Sequence, residues 1–283
     1  MGDRVRDRLW IWGHPGTCFD DWWDHKPRVG EPMEPAVGMR DLGARNVFYV
    51  PFGHYMDIEG YSRDIEGIAK TGISIEDWGE KGADRIEKSL SIARLFPKTT
   101  DRLIFDDFFC EPSHCGGWTQ YSVDDIKSAR KHLNQLGYEL WVVLYQWQLD
   151  MSQSNVKDEM PSLGDRSAKY TDERIKAYLD EFDGVSFWFW NEPSIIQYLA
   201  YTSKFLSLTK GKKRMIGCYL WNFGLRTDAE PRIVRYQLDS NLALIRAGEI
   251  EGVILHNNAL GAFDMPGYQE AKAWTAEHGD EEI

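Results

Sequence analysis

Eight short apolar runs recur along the chain, and most are followed by a stretch of helical period. They are residues 8–14 (RLWIWGH), 46–53 (NVFYVPFG), 72–78 (GISIEDW), 102–109 (RLIFDDFF), 139–147 (ELWVVLYQW), 184–191 (GVSFWFWN), 214–222 (RMIGCYLWN) and 251–258 (EGVILHNN). Each has strand length and is rich in Val, Ile, Phe, Tyr or Trp. Several are apolar at nearly every position, the pattern of parallel strands covered on both faces. The helical stretches carry their own punctuation. Residues 83–96 stop at Pro97, and 122–137 open on Ser122 and Asp125 in capping-box spacing and close at Gly137. Residues 171–182 begin at Thr171, 195–211 end at Gly211, and 231–248 run from Pro231 to Gly248. Residues 268–279 form the last.

Strands alternating with helices over 283 residues predict an α/β chain, a single (β/α)8 TIM barrel spanning 1–283 as one catalytic domain. A doubly wound open sheet is the other solution. It usually carries a glycine-rich phosphate loop after the first strand. Here that position reads GHPGTCFDDWW, and no P-loop occurs elsewhere.

Composition narrows the partners. Net charge is -12 and the isoelectric point about 5.1, so nucleic acid and anionic membrane are poor partners. No apolar run approaches the roughly 18 residues that span a bilayer. The opening MGDRVRDRLWIWGH lacks the apolar core of a signal peptide. The chain is expected to be soluble, cytoplasmic or secreted with a leader removed, and a monomer or small homo-oligomer. The cysteines, Cys18, Cys110, Cys115 and Cys218, are too few for a disulfide scaffold. CEPSHC with Cys18 and His114 could hold a metal, but the spacing matches no common zinc pattern, so neither cofactor nor metal is expected.

The carboxyl ends of the runs concentrate the chemistry, as a barrel active site requires. The first ends in His14, the third in Glu76 and Asp77, the fourth in Asp106 and Asp107. The fifth gives Tyr145, Gln146, Trp147 and Gln148, and the sixth Trp190 and Glu192. The seventh gives Tyr219, Trp221 and Asn222, and the eighth His256, Asn257 and Asn258. Strand alternation points Asp106 and Asp107 to opposite faces, with Asp107 the further along and favoured for the mouth. Glu192 comes from across the ring. Two carboxylates facing one cavity are what glycoside hydrolysis needs, one giving a proton to the leaving oxygen, the other attacking the anomeric carbon or activating water. The catalytic candidates are therefore Asp107, Glu192 and Asp106. The bland alternative is that such acids cap helices or pair with arginines.

Aromatic residues suggest the substrate. Of twelve tryptophans, Trp12, Trp22, Trp23, Trp78, Trp118, Trp147, Trp190 and Trp221 fall at or beyond run ends, whereas Trp10, Trp141 and Trp188 suit the core. Sugar rings pack their C–H faces on indoles while placed polar groups fix their hydroxyls. His14, Tyr145, Trp147, Trp190, Trp221, Asn222 and Asn257 are the candidate residues for a carbohydrate substrate. The long loop 148–170 could form a lid, and 18–32 is a second long loop.

Asn191-Glu192-Pro193 resembles the Asn-Glu-Pro signature of the large retaining glycosidase clan built on this barrel. In that clan the Glu is the acid/base after strand four, and a Glu after strand seven is the nucleophile. Here the motif follows the sixth run, and YLWNFG puts Asn222 in the nucleophile's place. The clan containing α-galactosidases uses acids after strands four and six, which implies Asp106 or Asp107 with Glu192. More broadly, LWIWGH, IFDDFF, LWVVLY, GCYLWNFG and GEIEGVI are similar over most of the chain to a group of uncharacterised bacterial barrel proteins. Some of these carry Asp where Asn222 stands, as YMWDYG. The leading expectation is thus a two-carboxylate glycoside hydrolase of oligo- or polysaccharides. One rival is a metal-dependent sugar isomerase, epimerase or lyase using Glu76, Asp106, His14 and His256. The other is a glycan-binding barrel without catalysis.

Overall fold

The computed structural model describes residues 3–18, 27–51, 58–75, 82–96, 99–109, 118–151, 170–190 and 192–283. Its ring is built from β1 (Leu9–Gly13), β2 (Asn46–Tyr49), β3 (Lys70–Ile75), β4 (Thr100–Phe105), β5 (Glu139–Tyr145), β6 (Gly184–Trp188), β7 (Lys213–Tyr219) and β10 (Gly252–His256). These close in the order β1-β10-β7-β6-β5-β4-β3-β2 with parallel pairing between the neighbours throughout. The eight predicted runs thus form the closed (β/α)8 barrel. Two further strands, β8 (Trp221–Asn222) and β9 (Thr227–Asp228), make an antiparallel hairpin above β7.

Around the ring lie α1 (Pro35–Asp41), α2 (Ile58–Arg63), α3 (Ala83–Ala93), α4 (Val123–Gln135), α5 (Asp172–Leu179), α6 (Glu192–Ile195), α7 (Tyr198–Leu208), α8 (Pro231–Arg246) and α9 (Pro266–His278). The capping box at Ser122 forms as its spacing implies: the Asp125 N–H donates to Ser122 Oγ at 3.2 Å and the Ser122 N–H to Asp125 Oδ2 at 2.8 Å. Thr171 caps α5 through the Arg174 N–H at 3.3 Å. The short α1, α2 and α6 were not legible. In α1, Gly38 gives poor helix propensity, yet a Cβ there would come within 2.4 Å of the Asn258 side chain, so close packing decides the residue. Among the described residues no helix is long and apolar enough to cross a membrane.

Inward-facing side chains fill the lumen with rings. Trp10, Trp12, Phe48, Trp141 and Trp188 join Val50, Ile104, Val143, Met215 and Ile254 in one buried cluster. So many indoles fit because facing positions are glycines. A Cβ on Gly184 would lie 2.3 Å from the Trp141 ring, and one on Gly217 2.0 Å from Trp188. Indole N–H groups are satisfied locally, Trp188 by Ser186 Oγ at 3.0 Å and Trp141 by Glu139 Oε2 at 2.9 Å. Trp12, placed by sequence at a strand end, belongs to this packing and meets Trp188 edge-on at 5.5 Å. At the amino-terminal end the lumen is closed by buried Arg102, whose guanidinium sits 4.7 Å from the Trp10 ring centre and 4.8 Å from that of Trp141.

Candidate active site

The strands stop earlier than the apolar runs do, and the residues beyond them build the mouth. β4 ends at Phe105. Asp106 continues the inward register of Ile104 and is half-buried, and at Asp107 the backbone turns into the left-handed region with φ 47°. The Asp107 N–H donates to Asp106 Oδ1 at 2.9 Å. Simple alternation separates the two acids onto opposite faces, but it applies only inside a strand. The turn brings both to the same place. The Tyr145 hydroxyl donates to Asp107 Oδ1 at 3.0 Å. Tyr145 and Tyr219 both feel the charges of Asp106 and Asp107. Burial first, and then these carboxylates, hold both phenols far above their ordinary pKa, so they stay protonated.

The walls are aromatic. Trp147 stacks on Tyr145 with ring centres 5.6 Å apart and 5° between planes. Trp190 stands edge-on to Tyr145 at 5.9 Å and to Tyr219 at 5.8 Å. Both tryptophans are half-buried, so part of each ring faces solvent. Gln146 and Gln148, which follow the end of β5, are buried struts. Gln146 accepts the Trp190 N–H at 2.8 Å, and Gln148 accepts the Tyr145 N–H at 2.9 Å while donating to the Phe109 carbonyl at 3.1 Å. The ends of β4, β5 and β6 are therefore locked together beneath the site.

Beside Tyr219 lie two buried histidines. The His256 ring is 4.9 Å from Tyr219, 4.6 Å from Phe223 and 5.2 Å from His14. Burial lowers His14 to about 3. It lowers His256 well below its ordinary value too, helped by the repulsion of His14. Both are neutral imidazoles at neutral pH. His14 Nδ1 lies 3.9 Å from Cys18 Sγ, and Asn258 grips the His14 backbone at both N–H (2.9 Å) and carbonyl (2.8 Å). Asn257 is fully buried, its amide 3.4 Å from His256 Nδ1.

Glu192, Asn222 and Trp221 form a separate group. Glu192 Oε1 accepts the Glu230 N–H at 2.8 Å, just before α8, and its Oε2 accepts Asn222 Nδ2 at 3.2 Å. Asn222 Oδ1 in turn accepts the Leu225 N–H at 3.2 Å. Trp221 is buried edge-on against Phe223 at 5.0 Å. These three line a small recess whose wall also includes Trp190 and Tyr219. The structure thus brings Asp106, Asp107, Tyr145, Trp147 and Trp190 together, with Tyr219 added. It sets Glu192, Asn222 and Trp221 behind the Trp190–Tyr219 wall, and His14 and Asn257 in the interior. Tyr219 was visible as a strand-end residue, but nothing in the sequence linked it to Asp106 and Asp107.

Glu76, Asp77, Trp22, Trp23, Trp78, Cys110, His114, Cys115 and residues 152–169 of the expected lid lie outside the described residues. Among the described residues no three His, Cys, Asp or Glu side chains gather as a metal site would require.

No family model matches the chain, and neither does any curated protein. Solved structures do match it in fold. The catalytic domain of a hyperthermophilic chitinase from Pyrococcus furiosus superposes with a TM-score of 0.59 at 7% identity, covering 100% of this chain and 99% of the other. A putative α-L-fucosidase from Bacteroides thetaiotaomicron gives 0.54 at 12% identity, with 95% and 97% covered. A glycoside hydrolase family 17 β-1,3-glucanosyltransferase from Rhizomucor miehei gives 0.51 at 11% identity, with 90% and 87% covered. The chain shares its barrel with these carbohydrate-active enzymes, and at such identities the likeness is one of fold. Nothing in these comparisons bears on the bacterial group.

Proposed function

We propose that this chain is a glycoside hydrolase acting on an oligo- or polysaccharide, with Asp106 and Asp107 as its essential carboxylates. One observation carries the reading: two acids from the end of β4 meet two protonated tyrosine hydroxyls between half-exposed tryptophans at the carboxyl end of the barrel. A sugar ring lies flat against Trp147 or Trp190, which shields its apolar face and leaves the glycosidic oxygen toward the acids. Asp107, held by the Tyr145 hydroxyl, acts as nucleophile or base. Asp106, the less exposed of the two, gives the proton to the leaving oxygen. In this reading Glu192 gives up the acid role suggested by its strand. Both its oxygens accept hydrogen bonds, and donating a proton would require it to release Asn222 or the start of α8. The fold neighbours support the substrate class.

The test is incubation of the purified chain with a broad oligosaccharide panel, with products read by mass. Cleavage by the parent, lost in Asp106→Asn and Asp107→Asn, supports the proposal. Tight binding of an intact glycan without turnover points instead to a binding barrel. Turnover abolished by chelator points to metal chemistry.

A further inference from the structure

We infer that Glu192 is a positioning residue: through Asn222 it fixes the aromatic wall that carries Trp190, and so it governs how tightly the sugar is held rather than how its bond is broken. The inference rests on the hydrolase reading above and gives the Asn191-Glu192-Pro193 motif a role at that site. Trp190 is half-buried at the mouth, and its backbone N–H is held on the β5 side by Gln146 Oε1 at 2.8 Å. On the other side its ring leans against Tyr219 at 5.8 Å and Phe223 at 6.3 Å. Phe223 in turn meets Tyr219 at 5.1 Å and His256 at 4.6 Å.

Phe223 follows β8 directly, so the β8–β9 hairpin decides where its ring stands. That hairpin pairs Trp221 with Asp228 and Asn222 with Thr227, too little to hold a two-stranded ribbon by itself. Glu192 ties it down. Its Oε2 accepts Asn222 Nδ2 at 3.2 Å, and Asn222 Oδ1 accepts the Leu225 N–H at 3.2 Å inside the hairpin turn. A backbone N–H can only donate, which fixes the buried Asn222 amide with its NH2 toward Glu192. A small loop of contacts closes. It runs from Trp190 along the chain to Glu192, across one hydrogen bond to Asn222, on to Phe223, and back to Trp190 through the rings. The other carboxylate oxygen holds the Glu230 N–H at 2.8 Å, where the chain leaves the hairpin for α8. A carboxylate suits this place because both its oxygens accept, whereas an amide has one oxygen and an NH2.

The polarity of these bonds supplies the test. Glu192→Gln sets an amide against an amide, and however the two turn, one of the three bonds to Asn222, Leu225 and Glu230 is lost. Asn222→Asp sets two carboxylates against each other. The double variant Glu192→Gln/Asn222→Asp reverses the donor and restores all three. The new glutamine donates to the new aspartate and keeps the Glu230 N–H, and the aspartate's other oxygen accepts from Leu225. On the oligosaccharide the parent cleaves, Glu192→Gln is expected to raise KM about 3–10-fold with kcat within about 2-fold. Asn222→Asp should raise KM at least as much, and the double variant should return to within about 2-fold of the parent. An unchanged KM in Glu192→Gln, or a double variant no better than the single ones, overturns the inference. So does a kcat that falls 100-fold or more in Glu192→Gln and stays low in the double variant, the signature of a proton donor. A second readout needs no activity. The indole 15N–1H signal of Trp190, assigned by Trp190→Phe, should move in Glu192→Gln and return in the double variant. A signal that stays in place in Glu192→Gln overturns the inference. If the parent cleaves nothing while the signal moves and returns, the hydrolase reading fails and Glu192 still sets the Trp190 wall.

Discussion

The two ends of the barrel hold the same kinds of residue to opposite purposes. At the amino-terminal end, charges are matched. Arg102 is clamped between two indoles and bonded to Asp101 at 2.6 and 2.9 Å. Lys213 bonds Glu139, Arg214 meets Glu249 at 3.0 Å, and Arg8 pairs with Asp3. A cavity of about 500 Å³ opens there, lined by Arg8, Lys213 and Arg214 together with Glu249 and Glu251. At the carboxyl end, Asp106 and Asp107 are set against phenol hydroxyls and tryptophan faces. One end closes the lumen, and the other presents carboxylates to whatever enters. The amino-terminal face of such barrels usually serves stability and the carboxyl face chemistry.

Mutation at each end should therefore separate stability from activity. The largest effect is expected at the mouth: Asp107→Asn and Asp106→Asn should each cut kcat/KM by about 10²–10⁴-fold while leaving thermal midpoints close to the parent. A large loss of stability in either would move that acid to the structural class. At the foot, Arg102→Ala should cost about 3 kcal/mol of unfolding free energy, since it empties the space of a buried side chain between two indoles and leaves them without their cation. Urea titration reads this, and activity per folded molecule should persist. An inactive but fully stable Arg102 variant would erase the distinction between the ends.

The buried histidines give a pH test of the interior between them. Both are held neutral in the fold, so the unfolded chain binds more protons below the ordinary histidine value. Stability should be constant above about pH 6.5 and decline as pH falls toward 3, with His14 alone contributing a loss on the order of 2 kcal/mol at pH 5. His14→Gln should flatten that decline in denaturant titrations between pH 7.5 and 4.5. An unchanged slope would mean that His14 is not buried as a neutral group. The smallest effect is expected at Glu192. Glu192→Gln should cost about 1 kcal/mol through weaker bonds to Asn222 and the start of α8, and less than about 10-fold in rate. A rate loss as deep as that of Asp107→Asn would return Glu192 to the proton-donor role.

Sequence reading reached the ring because parallel strands must be apolar on both faces, and that pattern survives without neighbours. It reached Trp10, Trp141 and Trp188 as core for the same reason. It did not reach the arrangement of Asp106 and Asp107. Alternation ends with β4 at Phe105, two residues short of Asp107, and a positive φ at an aspartate leaves no mark in composition. It grouped Trp221 and Asn222 with the mouth because they follow β7, whereas the chain turns there into the β8–β9 hairpin and buries both. Nor could it see that Glu192, at the end of so apolar a strand, would find the Glu230 N–H 38 positions later. Partners that distant are fixed by topology.

The decisive measurement is a crystal structure of Asp107→Asn soaked with an oligosaccharide the parent cleaves. The sugar should lie between Trp147 and Trp190, with its glycosidic oxygen within hydrogen-bonding distance of Asp106 and residue 107. Density in the Glu192 recess or at the amino-terminal cavity, with the mouth empty, would contradict the site.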